Sequence, residues 1–420
     1  MKIVIATAVY YPQINGVAVF SHNLALGLKA RGHEVMVICP SQTRRSYART
    51  ENGIKVHYLK SVDVKVYPDQ IHPVAERKKV LGIRWPRLFY RHGLRVSVFP
   101  QREVARILGD FGPDVVHVQV SDPIGLSVVS YARRHGIPVV TTEHNQPEVL
   151  TDSLKMPRVL KKGANAVLAS YFRNRQSKSD FVTMPTEKAI RGLLTGARRD
   201  LGVPVAAVSN GVDLSCFKPG ERADAPTVVY VGRLDSEKKV GIVVEAFAQA
   251  LKTVPEAKFL IAGDGVDKPR LEKLVSDLGI QANVEFLGKI LPPELYEIYQ
   301  KGWVFATASE IETQGIVLIE AAASGLPLIA VDKGAVSEVC RNGENGFLCE
   351  VDAGEKKADL QGKKREIAEI ADALIKILTD EKLRRSFAAR SLEIAHEHDF
   401  EKTLDKFENI YKKVTSLPKI

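Results

Sequence analysis

The first forty residues carry a pattern that admits few arrangements: the apolar run K-I-V-I-A-T-A-V, a turn through Y-Y-P-Q-I-N-G-V, a helical stretch closing near R-G-H, and a second run, E-V-M-V-I-C-P. Two short strands separated by a helix-length interval pair in parallel, because the chain must return to its starting edge before the second strand begins. Runs at D-V-V-H-V, I-P-V-V-T-T and D-F-V-T-M, with helical patterns between them, extend this into a doubly wound α/β domain. Near Pro204 to Gly220 the chain becomes polar and turn-rich, through V-A-A-V-S-N-G-V-D-L-S-C-F-K-P-G and E-R-A-D-A-P, which marks a domain margin. T-V-V-Y-V, A-K-F-L-I-A, N-V-E-F-L, W-V-F-A-T-A and L-P-L-I-A-V then repeat the alternation and predict a second parallel sheet. Ala353 to Lys364 is charged and poor in apolar residues and reads as a loop; helical periodicity resumes at Arg365 and runs to about Thr415. Two such domains facing one another make a cleft at the carboxyl ends of their strands, where open α/β sheets bind ligands.

A length of 420 residues exceeds one ordinary core and fits this two-domain reading. Nothing in the chain approaches twenty uninterrupted apolar residues, since the stretch Gly315 to Val331 is broken by Glu320 and Gly325. Met1 to Val9 runs into Tyr10, Tyr11 and Pro12 without a small-residue cleavage site, so it reads as a buried strand, not a signal peptide. The cysteines Cys39, Cys216, Cys340 and Cys349 lack metal-ligand spacing, and their sparse use fits a reducing cytoplasm.

The net charge of +10 conceals an asymmetry: residues 1–210 hold 31 Lys and Arg against 15 Asp and Glu, a net of +16, which leaves −6 for the remainder. The basic excess gathers in two places. In residues 77–106, Lys78, Lys79, Arg84, Arg87, Arg91 and Arg95 interleave with Trp85, Phe89, Tyr90, Val98 and Phe99; in 155–178, Lys155, Arg158, Lys161, Lys162, Arg173 and Arg175 mix with Leu160, Val167, Tyr171 and Phe172. Both read as basic amphipathic elements, whose charge meets anionic headgroups while apolar groups enter the interface. A solvated basic face over an ordinary core helix is the other reading. No nucleic-acid motif accompanies the charge, so no nucleic-acid partner is expected.

The segment S-E-I-E-T-Q-G-I-V-L-I-E, Ser309 to Glu320, sets two carboxylates, Glu312 and Glu320, eight residues apart across a glycine and an apolar helix start. Helical throughout, the interval would span roughly 12 Å, too far for both groups to act on one bond. The pair therefore reads as two anchors for one long ligand, with Thr313, Gln314 and Gly315 at a first helical turn whose backbone N–H groups can receive a phosphate. A nucleotide sugar fits, with hexose and ribose on the carboxylates and pyrophosphate on the helix start. Asn15 and Gly16 form a second glycine turn ahead of a helix, although G-x-G-x-x-G is absent. V-Y-V-G-R-L-D-S-E-K-K-V repeats the strand, glycine, helix order and adds Arg233 and Lys238, able to clamp a diphosphate. A surface salt-bridge cluster with Asp235 and Glu237 is the alternative.

V-G-R-L-D-S-E-K, A-G-D-G, E-F-L-G, E-T-Q-G-I-V-L-I-E-A-A-A-S-G-L-P-L-I-A and N-G-E-N-G-F-L, in that order, resemble the donor domain of the family 4 retaining glycosyltransferases. S-N-G-V-D-L-S-C-F-K-P resembles the family's domain junction, and Y-Y-P-Q-I-N-G-V with L-K-A-R-G-H-E-V its opening loop and helix, so the likeness spans nearly the whole chain. It implies the GT-B fold, two Rossmann-like doubly wound parallel-sheet domains facing across a cleft. An acceptor-binding, membrane-facing domain would occupy 1–203, a donor domain 204–395, and a closing helix, 396–420, would cross back to the first domain. By position the resemblance implies Arg233 and Lys238 on the donor diphosphate, Glu312 on the hexose hydroxyls and Glu320 on the ribose. It likewise implies Gly16 in the loop approaching the diphosphate and His144, in T-T-E-H-N, near the reacting sugar. Departures are Asn15-Gly16 for Gly-Gly, Lys239 where a small or amide residue is frequent, and K-G-A-V-S-E for G-G-x-P-E; they bear on donor hydroxyl recognition, not on the class.

The family's chemistry implies hexose transfer with retention of configuration, without metal or other cofactor, and no D-x-D occurs in this chain. With no evident carboxylate nucleophile, a front-side displacement is expected, in which the leaving phosphate helps deprotonate the acceptor. E-T-Q-G in place of E-G-F-G, with T-T-E-H-N-Q-P-E-V-L, is similar to bacterial diacylglycerol glucosyltransferases. That likeness implies UDP-glucose as donor, a lipid such as diacylglycerol as acceptor, and a peripheral position on the inner face of the cell membrane through 77–106 and 155–178. Mannose transfer from GDP-mannose to a phosphatidylinositol-type lipid, transfer to a soluble or polysaccharide acceptor, and a UDP-sugar epimerase of the same architecture are the alternatives.

Overall fold

The computed structural model describes residues 1–11, 15–64, 94–119, 122–144, 158–194, 200–350 and 360–416. The chain divides into two compact units, Met1–Ser209 with Leu404–Ile420, and Asn210–Thr403. The margins expected at 203 and 395 lie a few residues earlier. The reason for the first is visible in the sheet: Val205–Ala207 is a strand, not linker, and pairs in parallel with Phe181–Met184. The second margin falls inside the helix Phe400–Thr415.

The strands of the first unit are β1 (Lys2–Ala6), β2 (Glu34–Pro40), β3 (Tyr47–Glu51), β4 (Ile54–Leu59), β5 (Ser61–Val64), β6 (Leu94–Ser97), β7 (Val115–Val118), β8 (Val139–Thr142), β9 (Phe181–Met184) and β10 (Val205–Ala207). Eight of them form one sheet in the order β10-β9-β8-β7-β1-β2-β4-β3, parallel except for β3, which runs antiparallel to β4 at the edge. Ile3 sits opposite Val35 on one side and Val115 on the other, so β1 is central and its apolar run is buried on both faces. The helix Gly16–Ala30 buries Phe20, Leu24 and Leu28, one stripe at intervals of four. The helices Gln101–Phe111 and Pro123–Arg134 bring Ile107, Leu108, Ile124 and Val128 into a core with Val4, Met36 and Val116. β5 and β6 make a separate antiparallel ribbon.

The second unit contains β11 (Thr227–Val231), β12 (Lys258–Ala262), β13 (Val284–Gly288), β14 (Val304–Ala306), β15 (Leu328–Val331) and β16 (Gly346–Cys349), all parallel in the order β13-β12-β11-β14-β15-β16. One apolar core joins the helices Val240–Ala250 and Leu360–Thr379 to the sheet, with Phe247 and Phe259 rings 5.3 Å apart; another gathers Leu318, Ile319, Ala322, Leu326 and Ile394. The helix Leu360–Thr379 starts ahead of Arg365, so the expected loop is corrected for Leu360 to Lys364; residues 353–359 lie outside the described residues. Its first turn is polar because it faces outward, where the Lys363 ammonium meets Glu245 at 2.7 Å.

Strand order reverses between β11 and β14 in the second unit and between β1 and β7 in the first. Loops leaving the strands at such a point splay apart and leave a crevice at the carboxyl end of the sheet. Arg233, Lys238 and Glu312 belong to these loops and Gly16 opens the helix after β1, whereas Glu320 lies inside the helix Ile316–Ala323 and His144 follows β8.

Candidate active site

In the second unit, the loop after β11 carries Arg233 and Lys238, and the loop after β14 carries Glu312. The switch point brings them together: Lys238 Nζ donates to Glu312 Oε1 at 2.7 Å, both side chains about five-sixths buried, at 16% and 15% exposure. Burial alone would raise the Glu312 carboxyl, but Lys238, with Arg233 beyond it, outweighs burial and holds it below the usual range. Arg233 is bound on two sides by Asp235 and Glu237. The salt-bridge cluster is thus formed, and a diphosphate arriving at Arg233 would have to compete with these carboxylates for the guanidinium.

The A-G-D-G motif shapes this loop. A Cβ on Gly263 would lie 1.8 Å from the Gly232 carbonyl oxygen, so only glycine lets β12's end pass against the Gly232–Arg233 backbone. Gly232 N–H donates to Ala262 O, and Leu234 N–H to Asp264 O, both at 3.0 Å. Lys239 occupies a left-handed conformation, φ 49°, capping the helix Val240–Ala250. An amide side chain suits that conformation best, and here the lysine instead reaches Glu310, which Lys333 also meets at 2.8 Å.

The interval from Glu312 to Glu320 is only partly helical. Gly315, at φ 77°, caps a helix that begins at Ile316, so Thr313 and Gln314 precede the first turn instead of forming it. Gln314 is buried and its Oε1 accepts from the Asn210 N–H at 3.0 Å. The left-handed cap is what breaks the helix between the two carboxylates and directs Glu312 to Lys238. Glu320, inside the helix, accepts from the Tyr299 hydroxyl at 2.6 Å; burial pushes its carboxyl up to about 7, against the lowering effect of that hydrogen bond.

In the first unit, Asn15 is the N-cap of the helix Gly16–Ala30, its side chain accepting from Ala18 N–H at 2.9 Å, and Gly16 is the first helical residue. That cap gives the departure from Gly-Gly a physical role; residues 12–14 lie outside the described residues. His144 follows β8, 8% exposed, with Phe20 edge-on at 5.4 Å and Nε2 on Gln119 Oε1 at 2.8 Å. Burial pushes its imidazole down to about 4, so it is neutral at physiological pH. Gln119, His117 and Tyr411, which stand behind it, were not singled out from the sequence, because buried polar groups distant along the chain leave no local pattern.

The basic segments are only partly described. Residues 77–93 and 145–157 lie outside the described residues. Arg95 is not part of an exposed amphipathic element: it lies in β6, with Nε on Ser41 O at 2.8 Å and on Ser61 Oγ at 2.9 Å. Arg173 likewise donates to Leu193 O. Val98 and Phe99 stand exposed, and on the helix Arg158–Gln176 so do Val167 (70%) and Tyr171 (43%), with Arg175 over the Tyr171 ring at 4.8 Å.

Comparison with known proteins matches both halves in order. Residues 14–215 match the family model "Glycosyltransferase Family 4", and residues 213–393 match "Glycosyl transferases group 1". The chain is 28% identical to an alpha-monoglucosyldiacylglycerol synthase of Acholeplasma laidlawii, over 83% of this chain and 84% of the relative. It is 27% identical to an N-acetyl-alpha-D-glucosaminyl L-malate synthase of Bacillus anthracis, over 96% and 94%. Among solved structures, sucrose-phosphate synthase from Thermosynechococcus elongatus superposes with a TM-score of 0.72 at 17% identity, covering 99% of each chain. The two parallel-sheet units are those of the GT-B fold, and the chain belongs to the family 4 glycosyltransferases, as a hexosyltransferase.

Proposed function

We propose that the protein is a retaining, metal-independent glucosyltransferase that moves glucose from UDP-glucose to diacylglycerol, or a closely similar lipid, at the surface of the cytoplasmic membrane. The observation that carries the site assignment is the contact of Lys238 with Glu312 at the β11/β14 switch point. Arg233 and Lys238 would meet the diphosphate and stabilise the charge that develops as it leaves. Glu312 would take hexose hydroxyls, Glu320 the ribose, and the N-terminal turn of the helix beginning at Ile316 would add backbone N–H groups. Held between these anchors, the donor would undergo front-side displacement, the leaving phosphate helping to take the acceptor's proton.

The lipid acceptor is supported by the likeness to the Acholeplasma synthase, by the +16 charge of residues 1–210, and by exposed Val167 and Tyr171 beside Arg175. Among the described residues no helix is long and apolar enough to cross a membrane, so attachment would be peripheral. A soluble acceptor is the second reading, favoured by the likeness to the malate-linked synthase along 96% of this chain. GDP-mannose as donor is a further variant, since a GDP-mannose-dependent alpha-mannosyltransferase of Mycobacterium tuberculosis is 27% identical. Incubation of purified protein with each nucleotide sugar, in the presence of diacylglycerol vesicles or of L-malate, separates them by product mass.

A further inference from the structure

Behind His144 lies a continuous buried chain of polar groups drawn from distant parts of the sequence. Gln119, just past β7, puts Oε1 on His144 Nε2 at 2.8 Å and Nε2 on His117 Nε2 at 3.2 Å. His117, on β7, puts Nδ1 on the Tyr411 hydroxyl at 2.6 Å and Nε2 on Thr142 Oγ1 at 2.7 Å. His117, Gln119, Thr142 and Tyr411 are fully buried, so each bond is made without competition from solvent.

One pattern of protons gives every one of these contacts a donor and an acceptor. An amide has one accepting and one donating end, so Gln119 accepts from His144 Nε2–H and donates to His117 Nε2. His117 Nε2 is then unprotonated, its one lone pair shared by the Gln119 N–H and the Thr142 O–H, and the remaining proton sits on Nδ1, donated to Tyr411. If Tyr411 donated instead, His117 would carry its proton on Nε2, where Thr142 Oγ1 at 2.7 Å could accept it, but the ring would face the Gln119 amide donor to donor; turning the amide would relieve this and would reverse His144 as well. The tautomers of the two histidines are therefore linked through Gln119. Burial pushes both imidazoles down, to about 3 and about 4, so each carries a single ring proton at physiological pH.

We propose that Tyr411, His117 and Gln119 form a positioning relay by which the last helix, Phe400–Thr415, fixes the tautomer of His144, leaving Nδ1 as the nitrogen that accepts from a sugar hydroxyl. Phe407 of the same helix packs on Phe20 and His117, at 5.9 and 5.0 Å, and holds the rings that frame the relay. The relay rests on the reading above that His144 meets the donor hexose.

The test uses the full chain labelled with 15N-histidine, His144 and His117 being assigned by His144→Ala and His117→Ala. In the wild type, long-range proton–nitrogen spectra are expected to place a proton on His144 Nε2 and none on Nδ1. Tyr411→Phe and Gln119→Met are expected to give mixed His144 tautomers and to lower kcat by about 10-fold with donor KM within about 2-fold, the pattern of a group that acts on orientation rather than binding. A wild-type His144 protonated on Nδ1 overturns the relay, and so do variants that keep both the tautomer and kcat while His144→Ala loses turnover. Undiminished turnover in His144→Ala would instead remove the sugar-facing role of His144, on which the relay depends.

Discussion

Lys238 and Glu312 hold each other at 2.7 Å in a largely buried place, and this contact makes their substitutions non-additive. Glu312→Ala is expected to lower turnover about 100-fold or more by removing the proposed hexose anchor, and to lower stability because it leaves a largely buried ammonium without Glu312. Adding Lys238→Ala should restore much of the stability and none of the turnover; urea midpoints that fall additively in the double variant would contradict the pairing. Glu320 gives a pH signature of opposite sign for folding and binding. Its carboxyl is raised from 4.5 to about 7, so the folded protein holds a proton that the unfolded chain has released. The stability this group contributes is full below about 4.5 and is lost as pH rises through about 7. If Glu320 takes the ribose as proposed, the carboxylate form is needed, so donor KM should rise as pH falls through about 7, and Glu320→Gln should flatten that dependence. The two carboxylates and two cations were legible in the sequence because spacing around glycines exposes them. That Arg233 would be held by Asp235 and Glu237 was legible only as an alternative, and that Lys238 would touch Glu312 was not legible at all, since it depends on which two loops the strand order sets side by side.

At the scale of elements, the loops after β11 and β12 are fitted to each other through Gly263. Gly263→Ala places a methyl where the Gly232 carbonyl stands, 1.8 Å away, and is expected to displace the Arg233 loop. Donor KM should then rise together with a loss of about 2 kcal/mol or more in unfolding free energy; unchanged KM in a folded variant would separate the loop from donor binding. Asn15→Ala removes the cap of the helix Gly16–Ala30 and should cost about 1 kcal/mol, read from urea denaturation. Strands with buried apolar runs, such as β2 and β11, could be found from pattern alone. β3, with Ala48, Arg49 and Thr50 exposed, and β10, only three residues long, could not, because an edge strand needs no long apolar run to complete a sheet. The start of the helix at Leu360 was hidden for the same kind of reason, a polar turn facing water.

For the whole molecule, the excess of positive charge in residues 1–210 predicts binding to anionic vesicles that weakens as salt rises, with Val167→Ser and Tyr171→Ser reducing flotation at low salt. Equal flotation on neutral vesicles would remove the electrostatic part of that account. The family was legible across both halves because its motifs sit at strand ends, where local sequence determines local shape. The acceptor was not, because basic and apolar residues scattered along a surface do not by themselves distinguish a lipid-facing element from a solvated face. The measurement that bears most directly on the central claim is incubation of the full chain with UDP-glucose and diacylglycerol vesicles, followed by lipid mass spectrometry and NMR of the new anomeric centre. A monoglucosyl lipid with the α configuration of the donor is the predicted result. Glucose appearing only on a soluble acceptor, or a β-linked lipid, would contradict it.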